Sequence, residues 1–166
     1  MPDTQVLKDL LVYDPDMGIF KWIARPNVRM SHGKVGARAG AAGASGYRYI
    51  KYQGKLLREH RLAYEFVLGP IPEGMEIDHI NGDRADNRIS NLRLATHQQN
   101  LANCKNRKNN TSGCKGVTRH FDGRWRAKIM VGGKTLHLGL FQAIEDAAAA
   151  YASAATEYFG EFARAA

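Results

Sequence analysis

Residues 76–100 read EIDHINGDRADNRISNLRLATHQQN, and this stretch decides the fold of the first part of the chain. Residues 76–80, EIDHI, are predicted to form a short strand, and the polar residues 81–87 predict a loop. A second strand is predicted over 92–95, and a helix is predicted to follow it. The segment is therefore predicted to form a strand-loop-strand-helix unit.

The start of that helix has a sequence signature of its own. Thr96 and Gln99 stand three residues apart, as in a capping box, in which the threonine side chain accepts a bond from the N3 amide and the glutamine reaches back to the N-cap amide. The helix is therefore predicted to begin near His97.

Four polar residues of this unit can converge in the predicted topology. The Asp78 carboxylate and the Asn100 amide oxygen are hard oxygen donors, which suit Mg²⁺ or Mn²⁺ and leave positions open for water and a phosphate oxygen. Neighbouring His79 points to the other side of its strand and can take a proton from water at neutral pH. Asn91 is predicted to hold the imidazole ring. Singly, an Asp-His pair is common by chance, and asparagines in loops usually cap turns by bonding their own backbone.

Phosphodiester hydrolysis is the chemistry that this set fits. The reaction is so slow unaided that a general base alone falls short, so one divalent cation is expected to stabilise the phosphate and the leaving 3′ oxygen. The predicted catalytic residues are His79 and Asn91, and the predicted metal ligands are Asp78 and Asn100.

The charge of the chain is concentrated in one segment. The net charge is +8, and residues 101–137 alone carry nine basic side chains and one acidic side chain. Such a segment favours a polyanionic partner, nucleic acid first, because each neutralised phosphate releases counterions. A solvated basic face that only keeps the protein soluble is the alternative.

The C-terminal part changes to strands of period two. Strands are predicted over 115–120, 124–131 and 134–141, joined by short glycine turns into a three-stranded meander. The middle strand places Arg124, Arg126, Lys128 and Met130 on one face and apolar residues on the other. The last helix, over 143–160, has an alanine-rich stripe that is expected to cover the apolar face, which leaves the cationic face open.

The N-terminal part supplies the scaffold of the first unit. A helix is predicted over 4–12, a strand over 19–23, and a mobile loop over the glycine-, alanine- and arginine-rich segment 24–46. A strand over 47–52, a second strand and a helix over 60–68 follow.

Three domain segments are predicted from these patterns. Residues 1–104 form the first domain, 105–112 a basic linker and 113–166 the second domain. No apolar run is long enough for a membrane span and no secretory signal is evident, so a cytoplasmic protein is expected. Cys104 and Cys114 are expected to be plain thiols.

Residues 47–105 resemble the HNH nucleases with their ββα-metal fold, and LVYDPDMGIFKW resembles the start of phage and intron-encoded HNH homing endonucleases. The resemblance implies that Asp78 and Asn100 bind the cation, that His79 is the general base and that Asn91 orients it. Many members have His at the last position. Asn100 resembles the nicking branch of phage enzymes, so single-strand and double-strand cutting both stay open.

Residues 113–160 resemble the Apetala-two (ethylene-response-factor) DNA-binding domain, which also occurs fused to such nucleases. The landmarks are KGV, GRW, LGLF and AAAAY. The resemblance implies that the sheet enters the major groove and that Arg126 contacts phosphate. The residues it places on the base-reading face are Lys115, Thr118, His120, Arg124, Lys128, Thr135 and His137.

The sequence thus predicts an α+β fold, with an HNH ββα-metal domain followed by a three-stranded antiparallel sheet packed on one helix. The predicted function is metal-dependent cleavage of double-stranded DNA in the cytoplasm of a bacterial host, by a monomer encoded by a phage or prophage. A DNA-binding regulator with a silent HNH module is the alternative. An RNA-binding protein ranks last because the exposed sheet face is cationic rather than aromatic.

Overall fold

The computed structural model of the protein describes residues 4–24, 34–106 and 109–164. These residues form a mixed fold of helices and strands, which confirms the predicted mixed class. The chain divides into two compact units, Met1–Leu94 and Ala95–Ala166.

The elements up to the unit boundary are α1 (Thr4–Lys8), β1 (Leu11–Asp14), β2 (Ile19–Trp22), β3 (Arg38–Ala39), β4 (Ala41–Ala42), β5 (Arg48–Tyr52), β6 (Lys55–Arg58), α2 (Glu59–Leu68), β7 (Glu76–His79), a 3-10 helix (Ile89–Asn91) and β8 (Leu92–Ala95). Strands β1, β2 and β3 form one antiparallel sheet, and β4, β5 and β6 form another. Strands β7 and β8 form a two-stranded sheet.

The first unit has its own hydrophobic core. Leu7, Phe20, Ile50 and Leu62 are all fully buried in it. Phe66 meets the Phe20 ring edge-on, with the centroids 5.2 Å apart. Burying side chains of this size contributes about 1.5–3 kcal/mol each. This core holds α2 against the sheets and so fixes the start of α2.

Two predictions for the N-terminal part are wrong. The helix predicted over 4–12 ends at Lys8, and strand β1 begins at Leu11. Local periodicity allows a longer helix, but antiparallel pairing of β1 with β2 overrides it, and Leu11 is buried from the strand instead. The segment 24–46, predicted to be a loop, contains the short strands β3 and β4, and residues 25–33 lie outside the described part.

The elements after the boundary are α3 (His97–Asn103), β9 (Val117–Arg119), β10 (Trp125–Val131), β11 (Lys134–Phe141), α4 (Ile144–Phe159) and a 3-10 helix (Gly160–Phe162). The capping box predicted for α3 is confirmed, because Thr96 Oγ1 accepts from the Gln99 amide and Gln99 Oε1 accepts from the Thr96 amide.

The second unit is an antiparallel sheet with one long helix packed on it. Strand β10 lies between β9 and β11. Its buried residues Ala127 and Ile129 face the core, together with Tyr151 and Ala154 of α4. Gly116 is required here, because a Cβ at this position would lie 2.1 Å from the Tyr151 ring.

The compact units divide the chain before α3. The domain segments predicted from the sequence, with a linker at 105–112, stay a prediction. None of the described helices has the length and apolar character needed to cross a bilayer.

Candidate active site and nucleic-acid interface

Asp78 and His79 are the last two residues of β7, and both side chains are buried. Successive side chains of a strand point to opposite faces, so the carboxylate and the imidazole face different surroundings. The pair therefore has two separate roles available to it, a charged oxygen donor on one side and a titratable ring on the other.

The imidazole of His79 ends a chain of buried hydrogen bonds. Its Nε2 lies 3.1 Å from Asn87 Oδ1, and Asn87 Nδ2 donates to Glu59 Oε2 over 3.2 Å. Arg48 Nε donates to the same oxygen of Glu59, also over 3.2 Å. Glu59 and Asn87 are almost completely buried, so these bonds are shielded from water.

The direction of this chain follows from the donor inventory. Arginine has only donors, so Glu59 Oε2 is an acceptor, and the Asn87 group that faces it must be the NH₂. The Asn87 oxygen then faces His79 and accepts a hydrogen bond from the Nε2–H group. In the neutral ring, the nitrogen that carries the lone pair is therefore Nδ1.

Burial keeps His79 in its neutral form. Removal from water lowers its pKa below the ordinary value, and the Asn87 bond and the Asp78 charge oppose that shift. His60, whose ring meets that of His79 edge-on at 5.0 Å, has its pKa lowered to about 3, mainly by burial. Both imidazoles are neutral at pH 7, so His79 can accept a proton there.

The backbone of Asn87 is held by the β1–β2 hairpin. The Tyr13 hydroxyl donates to the Asn87 carbonyl, and the Ile89 amide donates to the Pro15 carbonyl over 3.1 Å. Gly18, with φ +66°, lies so close that a Cβ would stand 2.3 Å from the Arg88 amide nitrogen. The N-terminal hairpin thus positions the residue that bonds the imidazole.

Asn91 has a different contact from the one predicted. Its Oδ1 accepts from the Asn81 amide over 3.0 Å, and its Nδ2 donates to Asn81 Oδ1 and to the Asp86 carbonyl. The amide thus closes the loop between β7 and β8, and the bond to the His79 ring is made by Asn87 instead. Spacing alone could not separate the two asparagines, because both fall in the same polar segment.

Asp78, the first predicted metal ligand, forms an ion pair with Arg93. Arg93 Nε donates to Asp78 Oδ2 over 3.0 Å, and both side chains are largely buried. No group of three or more His, Cys, Asp or Glu side chains suited to a metal occurs within residues 4–24, 34–106 and 109–164. A single carboxylate still fits Mg²⁺, which proteins often hold through one or two carboxylates plus substrate phosphates.

Asn100, the second predicted metal ligand, lies on α3 and belongs to the second unit. Its role as a ligand, like that of Asp78, stays a prediction. The amide oxygen is a hard donor of the type that Mg²⁺ and Mn²⁺ accept.

The outer face of the β9–β10–β11 sheet carries most of the residues predicted to bind DNA. Lys128 lies opposite His137 in the register, and Arg126 lies opposite Thr118, whose hydroxyl is 3.5 Å from Arg126 Nη2. Thr135, opposite Met130, is exposed on the neighbouring strand. These residues form a surface of cations, hydroxyls and methyl groups.

Three other residues predicted to bind DNA have partners within the unit. Lys115 Nζ donates to the carbonyls of Leu101, Ala102 and Cys104 at the end of α3. Arg124 forms an ion pair with Asp122, Nη2 to Oδ2 at 2.7 Å, and His120 Nδ1 lies 2.9 Å from Asp122 Oδ1. Burial lowers the pKa of Lys115, although its three acceptors keep the ammonium bonded.

Residues 58–102 match the family model described as HNH endonuclease. This range contains α2, with Glu59 at its first position, both strands β7 and β8, and most of α3. The chain belongs to the HNH endonuclease family.

The relatives are viral and phage proteins. The chain is 37% identical over 122 residues to an uncharacterized HNH endonuclease of Acanthamoeba polyphaga mimivirus, covering 73% of this chain and 63% of that protein. It is 37% identical over 111 residues to Protein 3.8 of Escherichia phage T7, covering 66% of this chain and 91% of that protein. It therefore spans less than two thirds of the mimivirus protein and most of the T7 protein.

A solved structure of DNA binding and cleavage by the HNH homing endonuclease I-HmuI is also similar. It is 23% identical, covers 57% of this chain and 51% of its own chain, and gives a TM-score of 0.42.

Proposed function

We propose that the chain is a metal-dependent DNA endonuclease in which residues 1–104 hydrolyse the phosphodiester bond and residues 113–166 bind the duplex through their cationic sheet. The observation that carries this proposal is the buried chain from Glu59 through Asn87 to His79, beside the Asp78 carboxylate. Membership of the HNH endonuclease family supports the reaction class.

His79 is the general base in this proposal. Its Nε2 proton is held by Asn87, so Nδ1 accepts a proton from the attacking water as the new bond to phosphorus forms. The bond from phosphorus to the 3′ oxygen breaks, and that oxygen leaves and takes a proton from solvent water. A neutral imidazole that is fixed in orientation contributes roughly 10² to 10⁴ to the rate.

Asp78 and Asn100 are the proposed ligands of one Mg²⁺ or Mn²⁺ ion. When bound, the ion would stabilise the charge on the phosphate and on the leaving oxygen. Arg93 Nε donates to Asp78 Oδ2, and this bond orients the carboxylate at the end of β7.

The second unit is proposed to resemble the Apetala-two domain in function and to read the major groove. Lys128, Arg126 and His137 are the proposed contacts, with Thr118 and Thr135 on the same face. Neither Lys128 nor Arg126 forms an ion pair with a carboxylate of residues 4–24, 34–106 or 109–164. The protein is proposed to act as a monomer encoded by a phage or prophage, in the cytoplasm of a bacterial host.

Plasmid cleavage with Mg²⁺ or Mn²⁺, with and without a chelator, tests the proposed function. We expect the wild type to convert supercoiled plasmid to a nicked or linear form only with metal. His79→Ala should abolish cleavage and leave the dissociation constant for DNA within a few fold. A wild type that binds DNA without cutting under all metal conditions would support the regulator with a silent nuclease instead.

A further inference from the structure

Two arginines of the first unit point at one aromatic ring. The guanidinium carbon of Arg58 lies 5.3 Å from the centroid of the Tyr47 ring, and that of Arg84 lies 4.8 Å from it. The same ring is 5.0 Å from the ring of His60 and 6.0 Å from that of His79. A pair of positive charges therefore lies one aromatic ring away from the proposed base.

Each arginine is fixed by the backbone on which it stands. Arg58 is the last residue of β6, opposite Tyr49 in the register, and α2 begins directly after it. Arg84 is in the loop after β7, and its Nη1 donates to the Ser45 carbonyl over 3.0 Å. These constraints place both guanidiniums beside Tyr47 before any ligand arrives, which lowers the entropy lost on binding.

The charges of Arg58 and Arg84 differ from those of three other arginines, which are neutralised by carboxylates. Arg48, Arg88 and Arg93 each form an ion pair with a carboxylate. Neither Arg58 nor Arg84 has such a partner among residues 4–24, 34–106 and 109–164, and both are exposed.

Stability does not explain why two cations should share one ring. An exposed cation–π contact contributes only about 0.5–1 kcal/mol, and bringing two like charges together opposes it. An anion bound by both guanidiniums would offset that repulsion, and arginine donors match the geometry of phosphate oxygens.

We infer that Tyr47, Arg58 and Arg84 form a binding site for the DNA backbone within the nuclease unit, separate from the sheet of the second unit. The inference rests on the proposed function, because it takes the DNA strand to pass His79. The site is one ring removed from His79, so it holds phosphates next to the one that is cleaved rather than that phosphate itself. It aligns the strand with the base, and Tyr47 orients the two arginines.

The salt dependence of DNA binding tests this site, with the full chain in a chelator so that DNA stays intact. Arg58→Ala and Arg84→Ala should each reduce the slope of log K against log salt by about 0.9, the value for one phosphate contact. Arg88→Ala is the matched control, because Arg88 is an exposed arginine of the same loop whose charge is paired with Asp86. Its slope should equal that of the wild type.

Two variants of Tyr47 test whether its aromatic ring contributes to the site. Tyr47→Phe keeps the ring and should bind DNA like the wild type, whereas Tyr47→Leu removes the ring and should weaken binding several-fold, about the effect of one cation–π contact. Equal affinities of the Phe and Leu variants would overturn the role of the ring.

The outcomes separate this inference from the proposed function. If the wild type binds and cleaves DNA but the slopes of Arg58→Ala and Arg84→Ala match that of Arg88→Ala, the inference is wrong and the proposed function stands. If the wild type does not bind DNA at any salt concentration, both are wrong.

Discussion

The amide oxygen of Asn87 lies 3.1 Å from Nε2 of His79, and both side chains are buried. Because the other end of the amide donates to Glu59, the contact has a fixed direction. The proposed base is therefore oriented by a residue four positions before the asparagine that sequence spacing selects. It is also held in one tautomer, which is a property that a measurement can read.

Replacing Asn87 with Leu should lower the rate of cleavage by about 10- to 100-fold, a part of what a positioned base contributes. In this variant the His79 ring should no longer be fixed in one tautomer, so its proton should no longer be on Nε2 alone. Long-range ¹H–¹⁵N NMR of the metal-free chain reads the protonated nitrogen directly, with His79→Gln used to assign the signal.

Two comparisons separate this effect from a general loss of stability. Asn110→Ala removes an asparagine that bonds Ser112 and Gly113 in the second unit, and it should leave the His79 signals unchanged. Glu59→Gln keeps an acceptor oxygen for Arg48 and Asn87 and should preserve the tautomer, whereas Glu59→Leu should not. An Nε2–H tautomer that survives in Asn87→Leu would show that another group sets it.

Acid should destabilise the first unit through its buried imidazoles. The pKa of His60 is lowered to about 3 by burial, while an imidazole in the unfolded chain titrates near 6.5. Between these values the unfolded chain binds the proton and the folded chain does not. We therefore expect the free energy of unfolding to have its full value above about pH 6.5 and to fall as the pH decreases towards 3.

Urea unfolding at a series of pH values measures this dependence. His60→Phe keeps an aromatic ring beside Tyr47 and His79 but cannot be protonated, so its stability should change less with pH between 6.5 and 3. His79, whose pKa burial also lowers, adds to the slope in the same direction. If the free energy of unfolding of His60→Phe depends on pH as strongly as that of the wild type, His60 is not the group responsible.

Asp78 should be tested with Asn rather than Ala, because of its ion pair with Arg93. Removing the carboxylate breaks a largely buried ion pair, which typically costs about 3–5 kcal/mol. Asp78→Ala is therefore expected to lose both metal binding and stability. Asp78→Asn keeps an oxygen acceptor for Arg93 and should lose metal binding with a smaller loss of stability.

Titration of the full chain with Mn²⁺, followed by calorimetry, gives the metal affinity, and thermal unfolding gives the stability. The proposed ligand role predicts that Asp78→Asn weakens Mn²⁺ binding by at least about tenfold. Unchanged Mn²⁺ affinity in a folded Asp78→Asn variant would remove Asp78 from the proposed metal site.

The sequence predicted what depends on neighbouring residues. The capping box of Thr96 and Gln99 is local, and its prediction is confirmed. The period-two segments that predicted strands also agree with β9, β10 and β11, since alternation reports directly which face is buried.

Features that depend on distant partners were not visible in the sequence. Glu59 lies just before the helix predicted over 60–68 and no role was predicted for it, because only the fold brings it to Asn87, 28 positions later. The end of α1 at Lys8 likewise depends on the pairing of β1 with β2. The contacts of Lys115 were hidden for the same reason, because its acceptors are carbonyls at the end of α3, which a sequence pattern does not display.

Lys115 and Lys128 were both predicted from the sequence, but they differ in the partners that the fold gives them, and this difference can be tested. Both were predicted to contact DNA, but the ammonium of Lys115 caps the C-terminal end of α3, where it also interacts favourably with the helix dipole. Lys128 is on the outer face of β10 opposite His137 and makes no ion pair within the described part of the chain. Only Lys128 therefore has its charge available for a phosphate.

Lys128→Met should reduce the salt slope of DNA binding by about 0.9, as expected for one lost phosphate contact. Lys115→Met should leave that slope unchanged and lower the free energy of unfolding by about 1–3 kcal/mol, because three carbonyls at the helix end lose a charged donor. Both variants remove one positive charge and keep a similar apolar stem, so each serves as the control for the other. A reduced slope in Lys115→Met, with unchanged stability, would show that Lys115 leaves the helix end and contacts DNA after all.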